Sequence, residues 1–324
     1  FATSWDSFLL AAGLTLRYLA DRLRYRRGTR LVLGNALAAH LFKNLLERKV
    51  AIWYEARTSA LLTENGRVCG LKVERKGTML RVRARRGVVL AGGGFPANAA
   101  MRQRYLPQPV AEHTAAFEGC VGETLQLALD VGATLGGEGE DNALWFPSSL
   151  GKRDDGSTIV YPHIVLDRSK PGLVAVNAAG RRFVDEAVSY HQFVRAMYRA
   201  HQDSPCIPAM LVCDRRFIRK YGLGMIRPMT PSLKPYIESG YLRVGSSLEA
   251  LAQQIGVDAA GLAETVMKHN EYAKTGIDAE FGKGSNAYDL NNGDPDNKPN
   301  PCVGTIGQAP YCAVAVYPTP LGTS

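Results

Sequence analysis

Apolar side chains at Trp5, Phe8, Leu9, Ala12, Leu16, Leu19 and Leu23 share one face at helical spacing, which predicts an amphipathic helix over residues 4–25. Residues 31–33 form a short apolar run, predicted as a strand. Gly34 and Asn35 follow, then a second helix with Leu37, Leu41, Leu45 and Leu46 on its apolar face. Residues 50–54 read as a further strand, completing a strand–helix–strand succession. Asn65-Gly66 is a hairpin signal, because both residue types accept the positive φ of a type I′ turn. Residues 67–75 and 78–84 alternate apolar with polar positions and turn at Lys76-Gly77. Residues 87–90 are continuously apolar, the pattern of a strand covered on both faces, and three glycines end the run.

Residues 98–136 read as helical, with a break at Gly122. From Trp145 the texture changes to short strands, prolines and loops. Strands are predicted at 171–176, 209–213 and 311–316. Helices are predicted at 184–198, 246–255 and 258–275, the last N-capped by Asp258. Residues 286–301 read as a polar, proline-rich surface loop, and no internal repeat is evident.

At 324 residues the chain is long enough for two domains. The net charge of +9 is concentrated in arginines at 22, 24, 26, 27 and 30 and at 81, 83, 85 and 86. These runs carry no interleaved aromatic ladder and no known module, so no nucleic-acid partner is expected and the runs read as a solvated basic surface. No apolar run reaches the roughly 18 residues of a membrane span; residues 8–23 are interrupted by Arg17, Asp21 and Arg22. The six cysteines, at 69, 120, 206, 213, 302 and 312, form no C-x-x-C pair. They read as reduced thiols of a cytoplasmic enzyme. His40, His163, His191 and His269 are dispersed and suggest no metal site.

The candidate chemistry starts at Gly92-Gly93-Gly94. Glycines directly after an apolar run let a backbone approach a ligand closely. Around them stand Glu64-Asn65-Gly66-Arg67-Val68-Cys69-Gly70, Ala91 to Phe95, Asn177-Ala178-Ala179-Gly180-Arg181-Arg182-Phe183-Val184-Asp185-Glu186, Asn297-Lys298-Pro299-Asn300-Pro301-Cys302, Pro310-Tyr311-Cys312-Ala313-Val314 and Leu321-Gly322-Thr323. Taken together, these resemble the succinate dehydrogenase/fumarate reductase flavoprotein superfamily, and within it the 3-ketosteroid dehydrogenase branch.

The resemblance implies FAD as cofactor. It places Thr58, next to Arg57, at the adenine, Gly92, Gly93 and Gly94 along the dinucleotide, and Gly322 in the flavin-facing loop. The family's Gly-Asp-Gly turn is here Gly122-Glu123-Thr124, a departure that leaves Glu123 as the acceptor. Fumarate reductases hold a dicarboxylate with arginines and histidines. The matching positions here are Tyr190, Phe146 before Pro147, and Leu321. An unpaired dicarboxylate is badly solvated in such a pocket, whereas an apolar cyclic ketone or steroid suits it. In the ketosteroid branch a tyrosine at the place of Tyr190 removes the proton beside the ketone. Arg182, His191 and Arg195 are close enough in sequence to supply positive charge to that phenol. Trp145, Phe146, Tyr317 and Leu321 are the candidate pocket residues. Glu186 is expected to pair with Arg181 or Arg182 rather than to do acid–base work with Asp185.

The expected architecture is α/β. It consists of part of a two-dinucleotide FAD-binding domain over 1–143, an inserted mixed α+β capping domain over 144–305, and a return to the FAD-binding domain over 306–324. No strand–G-x-G-x-x-G–helix unit precedes the glycine turn, so the chain is expected to be an internal piece of a longer enzyme. The expected reaction is FAD-dependent dehydrogenation beside a ketone, as in 3-oxosteroid Δ1- or Δ4-dehydrogenases, with an external electron acceptor. Two alternatives stay open: a fumarate-reductase-like reductase of enoates, and a non-catalytic piece that does not hold FAD stably.

Overall fold

The computed structural model describes residues 4–136, 142–153, 155–164 and 166–323. It divides into two compact units. One comprises residues up to 58 with 73–81; the other comprises 59–72 with 82 onward.

In the first unit, Ser4 caps helix α1 (Trp5–Arg24) by accepting from the Ser7 N–H at 3.2 Å. Helix α2 (Leu33–Glu47) follows. The apolar stripe predicted on α1 exists, but no residue of either helix is buried; Trp5 is 72 % exposed and Leu33 89 %. The strands predicted at 31–33 and 50–54 are absent, because neither run finds a ladder partner among the described residues. Residues 56–83, which the division splits between the two units, form strands β1 (Ala56–Glu64), β2 (Arg67–Arg75) and β3 (Thr78–Arg83), a sheet in that order. Asn65 at φ 51° and Gly66 at φ 73° make the expected primed turn.

In the second unit, residues 87–90 form no strand, and Val89 is 89 % exposed. Continuous apolarity predicted burial, but no described strand pairs with this run. The long helical stretch predicted at 98–136 is reduced to α3 (Ala99–Tyr105) and α4 (Glu123–Leu129). Pro107 and Pro109 deny the backbone between them a helical path.

The rest is built on one antiparallel sheet of six strands. These are β4 (Ala143–Lys152), β5 (Thr158–Pro162), β6 (Leu173–Val176), β7 (Ala209–Asp214), β8 (Arg243–Gly245) and β9 (Tyr311–Thr323). The order is β5-β4-β9-β7-β6, with β8 also paired to β9. Strand β9 is the hub: Tyr311 to Val316 pair with β7, and Tyr317 to Thr323 with β4.

Side-chain alternation sends Leu173, Ala175, Leu211 and Val314 into one core, where Phe193, Val194 and Met197 of α5 (Tyr190–His201) pack with Phe217 and Ile218 of α6 (Arg215–Tyr221). Val174, Val176, Val212 and Ala313 face the opposite core, with residues of α8 (Leu248–Ile255) and α9 (Ala259–Thr275). Asp258 caps α9 as expected, accepting from the Gly261 N–H at 2.6 Å. The short α7 (Lys234–Glu238) precedes β8.

Two predicted elements differ. Helix α5 begins at Tyr190 rather than 184, because residues 185–188 are engaged in buried polar contacts. The expected loop at 286–301 contains α10 (Ala287–Asn292) and buries Asp289, Asp294 and Asn300.

Candidate active site

Helix α5 opens at Tyr190 because Ser189 caps it, its hydroxyl accepting from the Gln192 N–H at 3.4 Å. The segment leading into this cap is held from below. The Arg168 guanidinium is wholly buried and donates to the carbonyls of Glu186 at 2.6 Å, Val188 at 3.2 Å and His163 at 3.0 Å, and also to that of Ile164. Burial brings Arg168 down to about 10, although the Asp167 charge works the other way.

Glu186 adds the second anchor. Its carboxylate takes Arg182 in a fork at 2.9 and 2.9 Å, Lys283 at 3.1 Å and the Ala175 N–H at 3.0 Å. Arg182 also grips Asp278 at 2.9 and 2.8 Å. Burial raises the Glu186 carboxyl, but Arg182 and Lys283 outweigh it, and the group sits well below the ordinary carboxylate range. The partner of Glu186 is therefore Arg182, while Arg181 pairs with Glu264 at 3.0 Å. Arg182 is committed to these carboxylates and does not supply charge to Tyr190. Asp185 behaves oppositely to its neighbour: burial, with Glu186 and Asp289 adding to it, pushes its carboxyl up to about 7.

Above this foundation Tyr190 lies flat on Phe146, with ring centroids 4.0 Å apart and planes 9° from parallel. Such a stack adds about 1 kcal/mol beyond burial. The His191 Nδ1 accepts from the Trp145 N–H at 3.3 Å, which ties the start of α5 to β4.

A cavity of about 690 Å³ opens here. Ala143 and Leu144 of β4, Ser189, Tyr190 and His191 at the start of α5, Tyr288 of α10, and Gly322 and Thr323 of β9 line it. Leu144 pairs with Gly322 but Trp145 with Pro320, so Leu321 is an extra residue in a β-bulge. Bulges of this kind re-aim side chains beside functional sites.

The structure thus brings Tyr190 and Gly322 together, with Phe146 behind the phenol. It separates others. Trp145 is fully buried in the core, edge-on to Tyr198 at 5.3 Å, and does not line the cavity. Tyr317 lines a different recess, beside Tyr241 and Arg243. Leu321 is half-buried at the bulge and is not among the lining residues. Arg195 lines a neighbouring recess with Arg104 and Arg199. Tyr288 was missed because its segment reads as a loop. The available signal was Asn286 three residues before Asp289, a helix-start spacing.

The glycine turn adjoins this cavity through Thr323. A Cβ on Gly94 would lie 1.9 Å from the Thr323 carbonyl oxygen, and the Phe95 N–H donates to the Thr323 hydroxyl at 2.6 Å. A Cβ on Gly92 would lie 2.4 Å from Thr124 Cγ2. Gly93 has φ 82°, and the backbone of Gly92 and Gly93 is exposed. A side-chain-free, exposed backbone edge leading to the cavity fits an extended dinucleotide. Gly92, Gly93 and Gly322 would hold it. Glu123 is the exposed first residue of α4, after Gly122 at φ 84°. Arg57 is exposed and Thr58 half-buried on β1.

A second polar cluster has the residue types of a catalytic triad but another character. The Ser149 hydroxyl bonds His163 Nε2 at 2.8 Å, and His163 Nδ1 bonds Asp167 at 2.6 Å. Ser149 and His163 have no exposed surface, and the Ser149 hydroxyl is also bonded to Tyr241 at 2.7 Å. The cluster ties β4 to the turn at Gly224, whose N–H Asp167 accepts at 3.0 Å. Among the described residues no His/Cys/Asp/Glu group could hold a metal ion, and no helix is long and apolar enough to cross a membrane.

The glycine edge leading to a tyrosine-lined cavity belongs to a flavoprotein: the chain is a member of the FAD binding domain family, which matches residues 9–324, and FAD is its cofactor. It is 34% identical to 4-oxocyclohex-2-ene-1-carboxylate 5-dehydrogenase of Sinomonas cyclohexanicum over 99% of this chain and 54% of that one. It is 33% identical to 3-oxosteroid 1-dehydrogenase of Mycobacterium tuberculosis over 90% of this chain and 52% of that one. Among solved structures it resembles 3-ketosteroid delta1-dehydrogenase from Sterolibacterium denitrificans in complex with 1,4-androstadiene-3,17-dione. That match has a TM-score of 0.87 and 40% identity, covering 95% of this chain and 56% of that one. The chain spans about half the length of these relatives.

Proposed function

We propose that the whole protein is an FAD-dependent dehydrogenase that acts on the CH–CH bond beside the ketone of a steroid or similar apolar cyclic ketone. The observation that carries this reading is Tyr190, stacked on Phe146 in a cavity that Thr323 joins to the glycine turn. The three relatives named above are dehydrogenases of ring ketones by name, which supports it.

In this reading Tyr190 takes the proton from the carbon next to the carbonyl. Its place at the first residue of a 12-residue helix, capped by Ser189, fixes where the phenol enters the cavity wall. Phe146 fixes the plane of the ring, and Ala143 and Leu144 give one wall of the cavity an apolar lining. FAD, when bound, would accept the hydride of the neighbouring carbon, and with it both electrons, and would pass those electrons to an external acceptor. Arg57, Thr58 and Glu123 are proposed as further FAD contacts. Residues 1–143 are proposed as part of the FAD-binding domain and 144–305 as the cap. The tail 306–324 connects them, since β9 crosses the cap sheet and Thr323 reaches the glycine turn. A cytoplasmic setting is part of the reading, supported by four buried cysteines held as thiols.

The test is dye-coupled oxidation by the whole protein. A 3-oxosteroid should be dehydrogenated with bleaching of the dye. Turnover of succinate or fumarate without turnover of the ketone would refute the assignment.

A further inference from the structure

We infer that Tyr288 is a specificity-determining residue that makes the cavity prefer fused-ring ketones over single-ring ketones; this rests on the reading above. The residue lies in a segment whose sequence looks like a surface loop, yet the structure pins that segment at both ends.

At the start of α10, the Asn286 side-chain oxygen accepts from the Asp289 N–H at 3.0 Å. Asp289 in turn accepts from the Gly284 N–H at 3.0 Å and the Asn286 amide at 2.8 Å. At its end, the Lys170 ammonium donates to the carbonyls of Asn292 at 2.8 Å and Gly293 at 2.7 Å. A lysine at the last carbonyls of a helix satisfies groups that lack intrahelical partners. The Cys302 thiol donates to the Asp289 carbonyl at 3.1 Å. Asp289 is 1 % exposed and its Oδ1 has no partner, so this anchoring carries a desolvation cost.

What the anchored helix presents is Tyr288, 46 % exposed, in the wall of the cavity that Tyr190 lines. An aromatic ring on a rigid element gives a large contact at little cost in conformational freedom. The volume points to the kind of ligand. About 690 Å³ is in the range of sites for drug-sized molecules. A single six-membered ring reacting at Tyr190 fills a fraction of it, whereas a fused-ring ketone extends across it to the Tyr288 wall. On this inference the ring makes the contact and the hydroxyl is dispensable.

The experiment compares kcat/KM for a 3-oxosteroid and for a substituted cyclohexanone in the whole protein, as wild type, Tyr288→Ala and Tyr288→Phe. Tyr288→Ala should lower the ratio of steroid to cyclohexanone about tenfold, mostly through KM for the steroid. Tyr288→Phe should stay within about twofold of wild type. The exposed position makes loss of folding unexpected, and Tyr288→Leu, checked by circular dichroism, serves as a second truncation. An unchanged ratio in both truncations overturns the inference while leaving the dehydrogenase reading intact. If the wild type oxidises neither ketone, both fall.

Discussion

At the residue scale, the adjacent carboxylates Asp185 and Glu186 show how environment splits two similar groups. Glu186 meets two cations and is held ionised; Asp185 meets two other carboxylates and a buried setting. The split gives a pH prediction. The folded Asp185 carboxyl sits at about 7, above its ordinary value of 3.8, so the folded state holds a proton that the unfolded chain releases. The associated stability is complete below about pH 4 and is lost as pH rises to about 7. Asp185→Asn keeps an acceptor for the Ala187 N–H, now bonded at 2.7 Å, and cannot ionise. It should therefore melt several degrees above wild type at about pH 8, a gain on the order of 2 kcal/mol, with no difference at about pH 4. Equal melting temperatures at the higher pH would show that Asp185 is not held protonated. In the sequence, Tyr190 and Phe146 stood out only through the family they resemble. That Trp145, their neighbour, turns into the core instead depends on strand register, which one residue of slip reverses. No local pattern reveals a bulge such as that at Leu321.

At the element scale, features with local causes were legible. The Asn65-Gly66 turn, the Asp258 cap and the apolar strands at 173–176 and 209–214 follow from backbone preference and alternation. Elements that depend on partners were not. Residues 31–33, 50–54 and 87–90 have strand-like apolarity, but a strand exists only where another supplies its hydrogen bonds. Helix α10 was hidden by its polarity, because its stability comes from Lys170 and Asp289 rather than from an apolar stripe. The end of β9 gives an element-scale prediction. Gly94→Ala would place a methyl group within 1.9 Å of the Thr323 carbonyl, so the strand end must move. The variant should lose about 3 kcal/mol or more of stability in urea unfolding, clearly more than Gly93→Ala. Gly93→Ala, with Cys120 Sγ 3.4 Å away, should lose only the roughly 1–2 kcal/mol of a left-handed backbone. Equal losses in the two variants would contradict the close packing described at Thr323.

At the scale of the whole molecule, β9 is the element that converts fold into site. One half is buried between β7 and β8, and the other pairs with β4 and ends at the cavity and the glycine turn. No local pattern in the sequence revealed this long-range pairing, because it depends on partners far along the chain. Of the buried ion cluster and the Arg168 carbonyl cradle that hold the start of α5, only the pairing of Glu186 with an arginine beside it was legible in the sequence; Asp278, Lys283 and Arg168 were not. Together the cluster and the cradle hold the segment that brings the Tyr190 phenol into the wall of the cavity. The central claim is that this phenol is the base in a ketone dehydrogenation. Its most direct test is kcat of Tyr190→Phe against wild type in the whole protein with a 3-oxosteroid, after the flavin spectrum shows equal FAD content. The change removes one hydroxyl and keeps the ring on Phe146. The account predicts a fall in kcat of about 10²–10⁴-fold with KM little changed. A variant within about twofold of wild type would make Tyr190 a structural residue and contradict the mechanism.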